Sequence, residues 1–381
     1  MLPYLVVFAV AAGVSFLATP LVKHLASKVG AVDVPDDRKV HSTPQATLGG
    51  IAIFFGFACG LGTAWLLGDF KELFSFSSEP TGVIVGAVAV VALGALDDIR
   101  GLKASTKLAG QVVATGALIL AGVQVLYFWL PGAGLISLSP DMSALLTVVW
   151  TVLLINAVNL IDGLDGLAAG VSAIAAMALF AYAYRTSGGV PTTAALLAAL
   201  VVGSCLGFLP YNFNPAKIFM GDSGSMLLGL LLASSTISGV GRTIEPDLSD
   251  VAGLIVPVLL PFFVLAVPLA DTSLAVLRRV RDRRPLAMPD KRHIHHWLFD
   301  MAGSHRQAVL VMYMWSGMLA GATVVLSLWR GSAGKVIGFA LGGALVLTII
   351  FVPRALRRGS AWGTPEASER IHNLSGDPGQ T

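Results

Sequence analysis

Two adjacent aspartates, Asp97 and Asp98, close an apolar run. Neighbouring carboxylates repel each other unless a cation sits close by, so the pair suits a metal ligand or a general base. The run NAVNLIDGLDG at 156–166 sets Asn156, Asn159, Asp162 and Asp165 at intervals of three. On a helix that spacing drifts slowly around one face, so all four can point into one cavity. Gly163 and Gly166 end the helix and let backbone approach a ligand. Farther on, Asp222 lies among Gly221, Ser223, Gly224 and Ser225, just before another apolar run. Small residues at a helix N-terminus leave backbone N–H groups free for phosphate. An acid in that position repels phosphate unless it holds a cation, and Mg²⁺ commonly bridges carboxylates and substrate phosphates. The segment 278–306 carries eight Lys/Arg together with His293, His295, His296 and His305. No cysteine accompanies these histidines, and the surrounding positive charge favours phosphate or nucleotide over zinc. Plainer readings exist for each feature: a membrane-boundary acid, a polar turn, an N-cap, a lipid-headgroup patch. Together, acids for Mg²⁺ and bases for phosphate on one membrane face imply phosphoryl chemistry on an anionic substrate.

The elements that must position these residues follow from composition. Of 381 residues, 55% are hydrophobic and 12% charged, against about 25% charged in soluble chains. That excludes a soluble enzyme, a disordered chain and a disulfide scaffold. Cys59 and Cys205 lie in apolar runs and read as small fillers. Spans need about 20 apolar residues each. Windows near 2–22, 48–68, 81–96, 108–129, 143–161, 166–184, 192–210, 223–240, 251–277, 308–329 and 336–353 predict an all-α, polytopic membrane protein of about eleven helices, the third of them short. The first window lacks a charged leader and a cleavage site, so it reads as a retained span. Twenty of the 25 Lys and Arg fall in loops on one side, which puts the N-terminus outside and the C-terminus in the cytoplasm. Residues 1–353 form one polytopic domain with cytoplasmic active-site loops. The stretch 354–381 reads as a basic, then polar, disordered cytoplasmic tail.

Five separated motifs carry a resemblance: Arg38-Lys39-Val40-His41 leading to Gly49-Gly50, Asp97-Asp98, Asn156 to Gly166, Asn212 to Ser225, and His293 to His296. In this order they resemble the polyprenyl-phosphate N-acetylhexosamine-1-phosphate transferase superfamily. The first loop, the HIHH motif and the following GSHRQAV are similar to its WecA/TagO-type GlcNAc branch rather than to the phospho-MurNAc-pentapeptide translocases. The resemblance implies a bacterial cell-membrane enzyme with its active site on the cytoplasmic face. It implies UDP-GlcNAc as donor, undecaprenyl or decaprenyl phosphate as acceptor, UMP as product, Mg²⁺ (or Mn²⁺) as cofactor, and a homodimer by analogy. No nucleic-acid polymer is implied. By motif match Asp222 is a Mg²⁺ ligand, shared with Asp98. Phe219 stacks on uracil, and Asp165 with Asn212 bonds the nucleoside, in a substrate site that also takes in Asn156, Asn159 and Asp162. Asp97 handles the lipid phosphate as base or orienting group, and Asp98 assists. Lys107, His293, His295 and His296 hold phosphates, and Lys39 and His41 of the first loop belong to the same substrate site. Competing readings are pentapeptide transfer, another UDP-amino-sugar donor, and, in a different class, a cation-coupled transporter. Transporter sites favour the midplane and inverted repeats, neither of which is evident in the sequence.

Overall fold

The computed structural model describes residues 1–33, 44–130, 134–240 and 304–328, together with Gly338 and Gly342. Lys39, His41, His293, His295, His296, the window 251–277, all of 336–353 but Gly338 and Gly342, and the tail lie outside the described residues.

Ten helices and two short hairpins make up the described chain. Helix α1 runs Leu2–Val29 with a proline in its first turn, where a missing N–H costs nothing. It stops at Gly30, whose φ of 73° is the left-handed conformation that favours glycine. Strands β1 (Val32–Asp33) and β2 (Gln45–Ala46) pair antiparallel and lead into α2, Gly49–Leu66. The short α3, Lys71–Phe76, joins α2 to α4, Glu79–Arg100. Helix α5 is Ala104–Leu120. Strands β3 (Tyr127–Leu130) and β4 (Gly134–Ser137) form a second antiparallel hairpin. Then come α6 (Pro140–Ile161), α7 (Leu167–Thr186), α8 (Thr193–Asn212), α9 (Gly221–Val240) and α10 (His305–Leu328).

Seven of these helices, α1, α2, α4, α6, α7, α8 and α10, are long and apolar enough to cross a bilayer. They fall on seven of the eleven expected windows. Two more windows are filled by α5 and α9, which depart from a plain spanning helix. The window 108–129 is a 17-residue helix followed by β3, so its apolar run covers two kinds of element. The window 81–96 is longer than expected, because α4 continues through both aspartates to Arg100.

Helix α9 packs against α2, α4, α6, α7 and α8. Away from lipid it can carry hydroxyls, provided each finds a partner. Ser234 donates to the Leu230 carbonyl at 2.8 Å, Ser235 donates to the Ala194 carbonyl at 3.0 Å, and the Thr236 hydroxyl accepts the Trp150 indole N–H at 2.8 Å. Close approach rests on glycine. A Cβ on Gly50 of α2 would strike Gly224, and one on Gly94 of α4 would strike the Ser223 backbone. Gly94→Ala is therefore expected to push α4 off α9 and cost about 1–3 kcal/mol, the usual range for an overpacked interface. A thermal melt in detergent should show a lowered midpoint; an unchanged midpoint would mean that the contact is slack.

Candidate active site

The aspartates of α4 sit at a helix C-terminus, the end where the helix dipole disfavours negative charge. Local bonds offset this. Asp97 Oδ1 accepts the Leu102 N–H at 2.6 Å, and Lys107, one turn into α5, donates from Nζ to Asp97 Oδ2 at 2.7 Å. The same ammonium donates to Asp222 Oδ2 at 2.6 Å. Lys107 thus bridges two carboxylates that lie 125 positions apart in sequence, and it is only about a quarter exposed.

Asp222 stands in the first turn of α9, where the dipole favours an acid. Its other oxygen accepts Asn159 Nδ2 at 2.9 Å, and Asn159 also donates to Ser225 Oγ at 2.8 Å. Asp98 turns the opposite way from Asp97. It accepts the Asp222 N–H at 2.8 Å, the Ser223 N–H at 3.3 Å and the Ser223 hydroxyl at 2.9 Å. It therefore caps α9 from another helix, satisfying N–H groups that a helix N-terminus leaves open. The two neighbouring acids divide the work: one faces the lysine bridge, the other fixes the helix end that presents Asp222.

The run 156–166 leaves the helix earlier than its spacing suggested. Helix α6 ends at Ile161, so Asp162 and Asp165 ride on a turn. Asn156 points one turn deeper, where its Nδ2 donates to Gln111 Oε1 at 2.8 Å. Asn159 alone of the four reaches Asp222 directly. Asp165 Oδ2 accepts Asn214 Nδ2 at 2.9 Å and the Ala216 N–H at 3.0 Å. Buried Asn212 ties the same loops, accepting the Gly166 N–H at 3.1 Å and donating to the Ile218 carbonyl at 3.0 Å. The backbone of Phe219 is pinned between Ala46 and Gly49, its N–H donating at 2.8 Å and its carbonyl accepting at 3.0 Å. The structure therefore gathers Asp97, Asp98, Lys107, Asn159, Asp162, Asp165, Asn212, Phe219 and Asp222 at one end of the helices, and it turns Asn156 aside.

Asp162 reports the charge balance. Burial first, then the negative charges of Asp222, Asp98 and Asp165, push its carboxyl up to about 8. Its side chain accepts no hydrogen bond among the described residues. Five acids share this end, and among the described residues Lys107 is the one side-chain cation bonded to them. A further cation placed here would draw Asp162 back toward the ordinary carboxylate range. The donor set is carboxylate oxygen, which suits a hard divalent ion. Among the described residues no three His, Cys, Asp or Glu form a ready cage. An ion would complete its shell from phosphate and water, which is how Mg²⁺ is commonly bound. Lys107 stands between Asp97 and Asp222 where such a charge is demanded, so the residues fit the group.

Several residues of the site escaped the sequence reading. Gln111 lies one helical turn beyond Lys107 in an apolar stretch, a signal that could have flagged it. Asn214 lies inside the quoted 212–225 motif. Tyr313, which donates to the Gly166 carbonyl, gave no signal in the sequence.

Helices long and apolar enough to cross a membrane, meeting at one end in a lysine-bridged acid cluster, are the architecture of a polytopic membrane protein with a charged site. Comparison with known proteins sharpens this. Residues 80–240 match glycosyl transferase family 4. The chain is 42% identical over 359 residues to the decaprenyl-phosphate N-acetylglucosaminephosphotransferase of Mycolicibacterium smegmatis, covering 92% of this chain and 88% of that one. It is 37% identical over 326 residues to the probable undecaprenyl-phosphate N-acetylglucosaminyl 1-phosphate transferase of Bacillus subtilis, covering 86% of each. Against the phospho-N-acetylmuramoyl-pentapeptide-transferase of Mycobacterium bovis the identity is 35% over 281 residues, covering 61% of this chain and 76% of the other. The chain belongs to the polyprenyl-phosphate N-acetylhexosamine-1-phosphate transferases of glycosyl transferase family 4.

Proposed function

We propose that the protein transfers GlcNAc-1-phosphate from UDP-GlcNAc to a polyprenyl phosphate, releasing UMP and starting a lipid-linked envelope glycan. The observation that carries this is the bridge of Lys107 between Asp97 and Asp222, formed by three helices in a chain of this family. Similarity supports the GlcNAc branch: it extends over 92% of the chain for a GlcNAc-phosphate transferase and 61% for a pentapeptide transferase. The chain would cross a bacterial cell membrane about eleven times, with the N-terminus outside and the site on the cytoplasmic face, as the Lys/Arg asymmetry suggests.

In the reaction, an oxygen of the prenyl phosphate attacks the β-phosphorus of the donor. The bond from that phosphorus to the bridging oxygen breaks, and UMP departs with the electron pair. Both partners are anions, so their approach must be compensated. Asp222 would hold Mg²⁺, whose charge would offset that of the diphosphate. Asp98 enters through its cap, which fixes the first turn of α9. Lys107 has the reach to leave one carboxylate for a phosphate oxygen. Asp97, freed on that side, orients the acceptor. A base is not demanded, since a phosphomonoester loses its second proton near about pH 6. Asp165, held by Asn214 and Ala216, shapes the nucleoside side with Asn212 and Phe219.

Purified protein with Mg²⁺, polyprenyl phosphate and a panel of UDP-sugars tests the reading through UMP release. UDP-GlcNAc is expected to react, and chelation by EDTA to stop it until Mg²⁺ or Mn²⁺ is restored. Turnover of UDP-MurNAc-pentapeptide with none of UDP-GlcNAc would reverse the branch. Release without lipid acceptor would remove transfer altogether.

A further inference from the structure

Helix α10 reaches across the site without contributing an acid. At its first residue, His305 Nε2 accepts the backbone N–H of Asp165 at 2.7 Å. Next to it, Arg306 Nε donates to the Asn214 carbonyl at 2.9 Å. Two turns along, the Tyr313 hydroxyl donates to the Gly166 carbonyl. A Cβ on Gly170 would collide with the Tyr313 ring, so α7 and α10 are closely fitted there. Three side chains of one helix thus hold the backbone of two separate turns, 163–166 and 213–218. Those turns are joined to each other through Asp165 and Asn214.

The position of His305 is specific. A nitrogen that accepts a hydrogen bond carries no proton, so the ring offers Nε2 as a fixed acceptor. The amide it holds belongs to the residue whose carboxylate organises the facing turn. Gly166, beside it, has a φ of 81°, a conformation open to few residues but glycine. A turn of this kind has little intrinsic preference for one geometry and needs outside bonds to settle it. His305 supplies one from 140 residues away.

We propose that His305 is a positioning residue for donor binding: by accepting the Asp165 amide, with Tyr313 behind it, it sets the Asp165 carboxylate that shapes the nucleoside pocket. The kinetic consequence rests on the transferase reading above; the structural one does not. Loss of the bond should weaken donor binding more than acceptor binding, because the Lys107 bridge stands on α4, α5 and α9, apart from this turn.

The test compares the wild type with His305→Leu, His305→Gln and Tyr313→Phe in detergent. Steady-state UMP release gives KM for each substrate, and hydrogen exchange follows the backbone amides of 163–167. His305→Leu is expected to raise the donor KM about tenfold, the scale of one lost buried hydrogen bond. Acceptor KM should stay within about twofold of wild type, and the amides should exchange faster. Glutamine, whose side-chain oxygen can accept the same N–H, should restore most of the loss. Tyr313→Phe should show a smaller shift of the same kind, and it keeps the test open if the leucine variant does not fold. Unchanged exchange in His305→Leu, equal rises in both KM values, or a glutamine variant as impaired as leucine would overturn the proposal. If the wild type releases no UMP, the transferase reading fails, and the exchange data still decide whether His305 holds the turn.

Discussion

Asp222→Asn is expected to lower UMP release by about three orders of magnitude while the protein still purifies as a monodisperse species. The substitution is nearly isosteric. The amide oxygen can still accept from Asn159, which now bonds Asp222 Oδ1 at 2.9 Å, and Asp98 still caps the α9 backbone. What disappears is the charge at the point where two anionic substrates would meet. Removing one well-placed electrostatic group from an active site costs about 10²–10³ in rate, and Asp222 both pairs with Lys107 and is the divalent ligand proposed above, which puts it at the upper end. Initial rates at saturating substrate and several Mg²⁺ concentrations measure the effect. Activity within about tenfold of wild type would show that the charge of Asp222 is not used in the reaction.

Lys107→Met should do two things at once. It takes away the cation that now joins Asp97 to Asp222 at 2.7 and 2.6 Å. Breaking a buried ion pair by removing one partner costs about 3–5 kcal/mol. These side chains are between 11% and 26% exposed, so water screens part of the loss and about 2 kcal/mol is the better figure. The rate should fall about a hundredfold. Without the ammonium the two acids repel each other more strongly, and a divalent ion should then stabilise the variant more than it stabilises wild type. Thermal melts with and without Mg²⁺ separate these effects. A larger Mg²⁺-induced rise in the variant supports the bridge as a stand-in for the ion; equal rises in both proteins would place the ion elsewhere.

Much of this was legible in the residues, for a physical reason. Apolar windows are long and unbroken, so the seven described helices long and apolar enough to cross a bilayer could be read from hydropathy alone. Acids and amides at the ends of such runs are costly enough to stand out, which is how Asp97, Asp98, Asn159, Asp165 and Asp222 were found. Direction was harder to read. Spacing by three placed Asn156 with the others, but the end of α6 at Ile161 and the partner Gln111 depend on packing between helices. Paired aspartates also hid a division of labour. Asp98 reads as a second ligand, and the structure adds that its oxygens accept from three donors at the start of α9. The clamp from α10 joins residues about 90 to 150 positions apart in sequence, and no local pattern encodes such a contact. The β3–β4 hairpin was hidden because its apolar residues extend the run of α5.

The position of a labelled phosphate tests the central claim most directly. Purified protein, Mg²⁺ and polyprenyl phosphate would be given UDP-GlcNAc carrying ³²P only in its β-phosphate, and the lipid and aqueous products separated. If the acid cluster and Lys107 serve transfer of a sugar phosphate, the label moves into the lipid in step with unlabelled UMP. Label left in the aqueous phase as UDP, with sugar alone on the lipid, would contradict the account.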